Sequence, residues 1–189
     1  MRALIVIITT IFALAFDSSF TGILTLRSVG SITPLAMPCL VVFIALFAPE
    51  TIALLVALLL GALVDLSPGY GELVGGAHLI GPHALGYLVT ALLVLRIRNV
   101  VFRRRVITIA VLTTAAVIVT GATEALVLLV RGILPWTPAL KGGGFSDLIK
   151  LFGTAIYTGI LAVPLGWCLL ATIGLWKFHS PTGRSATWR

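Results

Sequence analysis

Apolar residues form long runs along this chain, and short polar or Gly- and Pro-containing segments separate them. The runs are Ala3 to about Leu24, Pro34 to Phe47, Thr51 to Val64, Pro82 to about Leu95, Val106 to Val130, and Leu151 to about Trp176. Each run is long and continuous enough to be interpreted as an apolar helix. The pattern therefore predicts an all-α chain of about six helices.

The second and third runs adjoin each other, with only Pro49 and Glu50 between them. One helix over the 31 residues 34–64 would be about 46 Å long, at about 1.5 Å per residue. That length exceeds the hydrocarbon core of a bilayer, which is about 30 Å thick. Because Pro breaks helices and Glu favours water, two short helices meeting at Pro49-Glu50 are predicted.

The composition places these helices in a membrane. Hydrophobic residues make up 59% of the 189 residues and charged residues only 10%, and the mean hydropathy is +1.16. Soluble domains are about 25% charged, so this chain has too few charges to cover a soluble surface. We predict a polytopic membrane helix bundle with a single transmembrane domain over residues 1–178 and a short basic cytoplasmic tail over 179–189.

The positive charge is interpreted as a topology signal. The formal net charge of +7 does not imply a nucleic-acid partner, because Lys and Arg accumulate in the cytoplasmic loops of membrane proteins. Six crossings with both termini in the cytoplasm place nine of the 13 Lys and Arg inside. A five-crossing alternative would separate the N-terminus from the basic loop. That loop, predicted to face anionic lipid or cytoplasmic partners, contains Arg96, Arg98, Arg103, Arg104 and Arg105.

The first run also contains Ala13-Leu14-Ala15, which resembles a signal-peptidase site. The segment before the run carries a single charge, Arg2, and Asp17 follows the site closely. An uncleaved first helix extending to about Leu24 is therefore favoured.

Four ionisable residues lie inside the runs or at their ends: Asp17, Asp65, His83 and Glu124. A charge at mid-bilayer costs at least about 2.5–3.5 kcal/mol, so such residues usually face the interior of the protein. Asp65 ends a row of small residues spaced four apart, a pattern that lets helices approach closely. The row is Ala53, Ala57, Gly61 and Asp65.

Three other helices carry a small or polar stripe at helical spacing, which predicts a close-packed bundle with polar groups inside. The stripes are His83, Gly86, Tyr87 and Thr90; Thr113, Thr120, Gly121 and Glu124; and Thr154, Thr158, Ala162 and Gly166.

Asp65 and His83 are predicted near the outer ends of neighbouring helices, where the carboxyl group could accept a hydrogen bond from the imidazole. The favoured interpretation is that they fix the outer loop to the bundle, with partner docking and a substrate or proton site as alternatives. For Glu124, a hydrogen-bonded acid within the bundle is favoured over proton transport.

No constellation in the sequence indicates catalysis. It has no acid pair at a fixed local spacing, no metal-ligand cluster, no nucleophile elbow and no phosphate loop. We therefore predict a protein that is not an enzyme and has no cofactor, metal or catalytic residue. Cys39 and Cys168 lie within apolar runs and are interpreted as buried thiols without a redox role.

Two motifs resemble MreD, the rod shape-determining membrane protein family of the bacterial cell-elongation machinery. They are Gly61-x-x-x-Asp65 and, after a Gly-rich loop, Gly81-x-His83-Ala84-Leu85-x-Tyr87. The arginine-rich loop, the acid Glu124 in the fifth helix and the basic tail extend the resemblance over most of the chain. The first helix departs from the family pattern at Asp17, where the family tends to have Gln.

The resemblance implies a non-enzymatic scaffold in the bacterial inner membrane that binds MreC, a bitopic protein with a periplasmic coiled coil. Through MreC it would join a RodA-type glycosyltransferase, a class B penicillin-binding transpeptidase and MreB filaments, and so organise peptidoglycan synthesis and cell shape. The outer loops 66–82 and 131–150 would meet periplasmic partners. Asp17, Asp65, His83, Tyr87 and Glu124 are the structural, partner or pocket candidates.

An alternative function belongs to another class. Six short helices with a polar stripe also suit the small-molecule-binding subunit of an energy-coupling-factor transporter, whose architecture MreD-like proteins resemble. Asp65, His83 and Glu124 would then line a pocket beneath the outer loops. The outer loops carry few aromatic residues, and the first helix lacks an Ala-x-x-x-Ala row, so the scaffold is favoured.

Overall fold

The computed structural model describes residues 3–26, 32–67, 81–100, 105–132 and 145–176. These residues form seven helices in chain order, and no β-strand beyond an isolated bridge between Leu26 and Ile32. The helices are α1 (Ala3–Leu24), α2 (Met37–Phe47), α3 (Glu50–Asp65), α4 (Pro82–Ile97), α5 (Val106–Gly132), α6 (Phe145–Ala171) and α7 (Ile173–Trp176). The predicted all-α bundle is confirmed in this part of the chain.

The short helix α2 is the centre of the bundle. It packs against α1, α3, α4, α5 and α6, and every residue from Met37 to Leu46 is buried. The successive helices α3, α4, α5 and α6 pack side by side around it. Its apolar residues thus form the core, and no face of α2 is left for solvent or lipid.

Three helix boundaries differ from those predicted. The second helix begins at Met37 rather than Pro34, because residues 32–36 lead into it as a non-helical segment. The sixth helix begins at Phe145 rather than Leu151, so the polar residues Ser146, Asp147 and Lys150 belong to its first turns and not to a loop. The run to Trp176 is also divided, since α6 ends at Ala171 and α7 follows.

Two helical stretches of the described residues are long and apolar enough to cross a membrane, Val106–Val127 and Leu148–Ala171. Large apolar side chains are also exposed on α1, α5 and α6, among them Phe12, Ile107 and Trp167. A soluble monomer rarely exposes extensive apolar surface, so both features support a membrane protein.

Some predicted features cannot be compared with the structure. Arg103, Arg104 and the tail 179–189 lie outside the described residues, as does most of each outer loop. The prediction that both cysteines are buried is confirmed for Cys39 and wrong for Cys168, whose side chain is exposed on α6.

Candidate functional site

The N-terminus of α4 is capped by Asp65, the last residue of α3. Gly81 and Pro82 open α4 without a local side chain that could accept its first N–H groups. The carboxyl group of Asp65 supplies the missing acceptors. It accepts the backbone N–H of Gly81 at 2.8 Å, of His83 at 3.2 Å and of Ala84 at 3.2 Å. A carboxylate is also favoured there by the helix dipole.

His83 completes this cap and connects it to α5. Its Nδ1 lies 2.8 Å from Oδ1 of Asp65, so Nδ1 donates and the imidazole is held in one orientation. The same nitrogen lies 3.8 Å from Oε1 of Glu124. Asp65, His83 and Glu124, which we call the acid–imidazole cluster, therefore bring together α3, α4 and α5.

The four donors saturate Asp65. Its Oδ1 accepts from the backbone and the ring of His83, and its Oδ2 accepts from Gly81 and Ala84. A carboxylate offers about four lone-pair sites, and the Asp65 side chain is fully buried. This geometry leaves it no acceptor capacity for a substrate, and it functions as a helix-joining group. Glu124, with 35% of its side chain exposed, is the accessible member of the cluster.

Gly61 permits the close approach on which the cluster depends. A Cβ at this position would lie 2.4 Å from Cα of Ala84 and 2.6 Å from the carbonyl oxygen of His83. Both are backbone atoms, which cannot move aside without separating α3 from α4. The small-residue row ending at Asp65 is buried, and at Gly61 and Asp65 it meets α4 closely, as its spacing predicted.

Polar residues below the cluster join α4 to α5. The hydroxyls of Thr90 and Thr120 lie 3.3 Å apart, and Thr90 also donates to the carbonyl of Ala116. Tyr87 is buried, with its ring edge-on to His83 at a centroid separation of 6.3 Å. These contacts lie on the stripes predicted for the two helices.

Asp17 forms a second cap of the same kind on α2. Ala36 and Met37 donate their backbone N–H to its two carboxyl oxygens, at 2.6 and 3.1 Å. As on α4, no local side chain caps this helix, and a proline stands in its first turn. Asp17 is buried and joins α1 to α2, so it belongs to a separate junction from the acid–imidazole cluster.

The structure gives Arg98 a role that sequence reasoning missed. Its guanidinium donates to the carbonyl of Ala48, at the C-terminal end of α2, at 2.9 Å. A cation is favoured at that end of a helix. Arg96 and Arg105 are exposed, so Arg98 differs from them in reaching back into the bundle. A non-local contact of this kind leaves no local signal in the sequence.

A second missed contact holds the segment that leads into α2. The backbone N–H of Leu35 donates to the hydroxyl of Thr158 on α6, at 3.1 Å. Thr158 is fully buried. Its place on the predicted polar stripe of α6 indicated an inward orientation but could not identify the partner.

Comparison with known proteins adds no relative, because no family model, curated protein or solved structure matches the chain. In the described residues, no group of three or more His, Cys, Asp or Glu is arranged to hold a metal ion. The function is therefore argued from the geometry and from the sequence motifs.

Proposed function

We propose that this chain is a non-enzymatic membrane scaffold of the MreD type. It would act in the bacterial cell-elongation complex, where it binds an MreC-like bitopic protein and helps to organise peptidoglycan synthesis. The wall synthases and MreB filaments would join through that partner. The chain would lie in the bacterial inner membrane, with both termini in the cytoplasm.

The observation that carries the proposal is the junction formed by the two motifs. Gly61, Asp65, His83 and Ala84 meet at one point, where Asp65 accepts four hydrogen bonds and Gly61 contacts the backbone of α4. Such a junction fixes the relative positions of helices, which is what a docking scaffold requires. At a substrate site the buried central acid would instead keep unused hydrogen-bonding capacity, which Asp65 lacks.

The second of the six proposed crossings combines the short helix α2 with the non-helical segment before it. The 11 residues of α2 extend about 17 Å, little more than half of the hydrocarbon core. The four residues 32–35 add about 13 Å when extended. Together they suffice for one crossing. Non-helical backbone is tolerated at membrane depth where protein groups satisfy it, as Thr158 and Asp17 do here.

The experiment that tests this function is an affinity pull-down of the tagged chain from native membranes in mild detergent, followed by mass spectrometry. Recovery of an MreC-like coiled-coil protein with wall synthases is expected. Recovery of a coupling transmembrane protein with two ATPases would instead identify the transporter subunit and overturn the scaffold proposal.

Variants of the acid–imidazole cluster test whether it is needed for partner binding. Asp65→Ala and His83→Ala should reduce the recovery of the partner without abolishing membrane insertion, because they loosen the junction of α3 and α4. Glu50→Gln is the matched control, since Glu50 is an exposed acid at the opposite end of α3. Normal recovery of the partner with both alanine variants would show that the cluster is not needed for docking.

A further inference from the structure

Glu124 differs from the two capping aspartates in the way it contacts the bundle. Asp17 accepts two hydrogen bonds and Asp65 accepts four, whereas the described part of the chain gives Glu124 none. Its contact there is with His83, whose Nδ1 lies 3.8 Å from Oε1, beyond hydrogen-bond distance. The interaction that connects Glu124 to α4 is therefore electrostatic, and it depends on the charge of both groups.

His83 lies between two acids, so its charge decides how Glu124 interacts with the junction. Nδ1 is 2.8 Å from Oδ1 of Asp65 and 3.8 Å from Oε1 of Glu124. A charged imidazole attracts both carboxylates. A neutral imidazole keeps the Nδ1 hydrogen that it donates to Asp65, and Glu124 then faces the carboxylate of Asp65 without a cation between them. Because like charges repel, the contribution of Glu124 changes sign when His83 changes its charge.

The other helices packed around this junction add no competing cation within the described residues. The sequence of α2 contains no charged residue. On α4, Tyr87 is buried with its ring edge-on to His83. On α6, Leu151 packs against Gly121, one turn before Glu124, and the adjacent Lys150 is exposed and forms no salt bridge with Glu124. The charges that act on Glu124 are thus those of His83 and Asp65.

Glu124 is also the acid of the cluster that can take up a proton. Four donors already occupy the oxygens of Asp65, which is about the number of lone-pair sites that a carboxylate has. Glu124 has no such donors, and 35% of its side chain is exposed. A proton on Glu124 removes both its attraction to His83 and its repulsion from Asp65.

We propose that the contact between Glu124 and His83 is a pH-sensitive switch at the junction of α4 and α5. It holds α5 to the start of α4 while both groups are charged. It loses its attraction when Glu124 takes up a proton, and it becomes repulsive when His83 loses one. The inference goes beyond the proposed function and needs no partner. On the topology proposed above, the junction would respond to the pH outside the cytoplasm.

Thermal unfolding of the purified full chain in detergent tests the switch, from about pH 4 to about pH 9, where ordinary carboxyl and imidazole groups titrate. The measured quantity is the difference in midpoint between Glu124→Gln and the unmodified chain. Where His83 is charged, Glu124→Gln should lower the midpoint by about 1–4 °C, as expected for one ion pair. At higher pH it should raise the midpoint, and at the lowest pH the difference should vanish.

Two further variants make this result specific to His83. Glu50→Gln is the matched control, because Glu50 is an exposed acid with no salt bridge among the described residues, and its difference should not change sign with pH. His83→Gln keeps a side-chain donor for Asp65 but does not titrate. In that background Glu124→Gln should not lower the midpoint at any pH. A sign change that persists without His83, or that is absent from the chain with His83, would overturn the proposal.

Hydrogen–deuterium exchange of Glu124→Gln and the unmodified chain locates the effect and does not require His83→Gln to fold. After correction for the intrinsic pH dependence of exchange, protection of residues 81–90 and 118–127 should follow the same sign change. Residues 50–58, at the opposite end of α3, should not follow it, and an equal response there would contradict a local switch. Because both measurements use the purified chain, failure to recover a partner contradicts the proposed function alone, whereas a missing sign change contradicts the switch alone.

Discussion

Two buried aspartates from other helices cap the N-termini of α2 and α4. An N-terminus leaves up to four backbone N–H groups without partners in the helix, and burial makes each unpaired group costly. Neither α2 nor α4 has a local Ser, Thr, Asn or Asp cap. Asp17 and Asp65 provide acceptors from other helices instead. Each acid thus satisfies a helix end and fixes the helix that carries it against the helix that it caps.

Asp65→Asn should destabilise the protein by about 1–3 kcal/mol, because an amide has one acceptor oxygen and presents N–H to groups that are themselves donors. The measurement is thermal unfolding in detergent, followed by the fraction that stays monodisperse in size-exclusion chromatography. Glu50→Gln, a change from acid to amide at an exposed position in the first turn of α3, should lower the transition much less, because only an exposed interaction with the helix dipole is lost. An Asp65→Asn midpoint equal to that of the control would contradict the four-donor cap.

Gly61→Ala should destabilise the protein by about 1–3 kcal/mol, the usual cost of inserting a methyl group into a packed interior. The added Cβ meets backbone atoms of His83 and Ala84, so α3 and α4 must separate. Gly174→Ala is the matched control, because a Cβ at that position meets no atom within 4 Å. The same thermal assay measures both, and similar midpoints for the two variants would contradict the close contact of α3 and α4.

At the scale of the element, α2 is a buried helix held at both ends. Asp17 caps its N-terminus and Arg98 contacts its C-terminal end. The signs of the two charges match the helix dipole. A helix of only 11 residues is marginal by itself, so its stability comes from tertiary contacts. These two side chains set its position along the bundle axis.

Arg98→Gln should lower stability by about 1.5–3 kcal/mol, the range for a hydrogen bond to a charged group, with partial exposure favouring the lower end. Arg96→Gln removes the same charge two residues earlier, from an exposed position, and should have little effect. Thermal unfolding of the two variants in parallel separates the specific contact from the general loss of positive charge. Equal losses of stability in the two variants would show that the positive charge stabilises this end of α4 without the contact between Arg98 and Ala48.

The sequence predicts the helices well where local signals determine them. Apolar runs and Pro82 mark α1, α3, α4 and α5 to within about two residues, because segment composition decides whether an apolar helix forms. The start of α2 was missed because the residues that hold segment 32–36 in a non-helical form, Asp17 and Thr158, are distant in sequence.

The candidate site was likewise predictable only where local sequence signals determine it. The position of Asp65 at the end of one apolar run and of His83 at the start of the next placed them at one end of neighbouring helices, and the structure shows their contact at 2.8 Å. The capping role of Asp17 left an indirect signal, since the helix containing Pro38 begins without a local cap residue. Nothing local distinguished Arg98 from the other arginines of its loop, because its partner carbonyl comes from a different helix.

At the scale of the whole molecule, the junctions occupy both ends of the bundle. The acid–imidazole cluster joins α3, α4 and α5 at one end, and Arg98 joins α4 to the end of α2 at the other. Because α4 runs between these two junctions, each of them restrains α4 when the other end of the helix is displaced. This rigidity suits a scaffold that presents fixed surfaces to partners on both sides of a membrane.

The proposed topology predicts that the C-terminus and the Arg98 end lie in the cytoplasm, with the acid–imidazole cluster on the outer side. Alkaline phosphatase fused after Ser67 should be active, since this enzyme requires export, whereas a fusion at the C-terminus should be inactive and a fluorescent protein there should be bright. Segment 32–36 and α2 decide the result: if they do not cross the membrane, every later segment reverses its side. Active phosphatase at the C-terminus would show that the six-crossing arrangement is wrong, and inactive phosphatase after Ser67 in addition would locate the missing crossing before α4, where segment 32–36 and α2 lie.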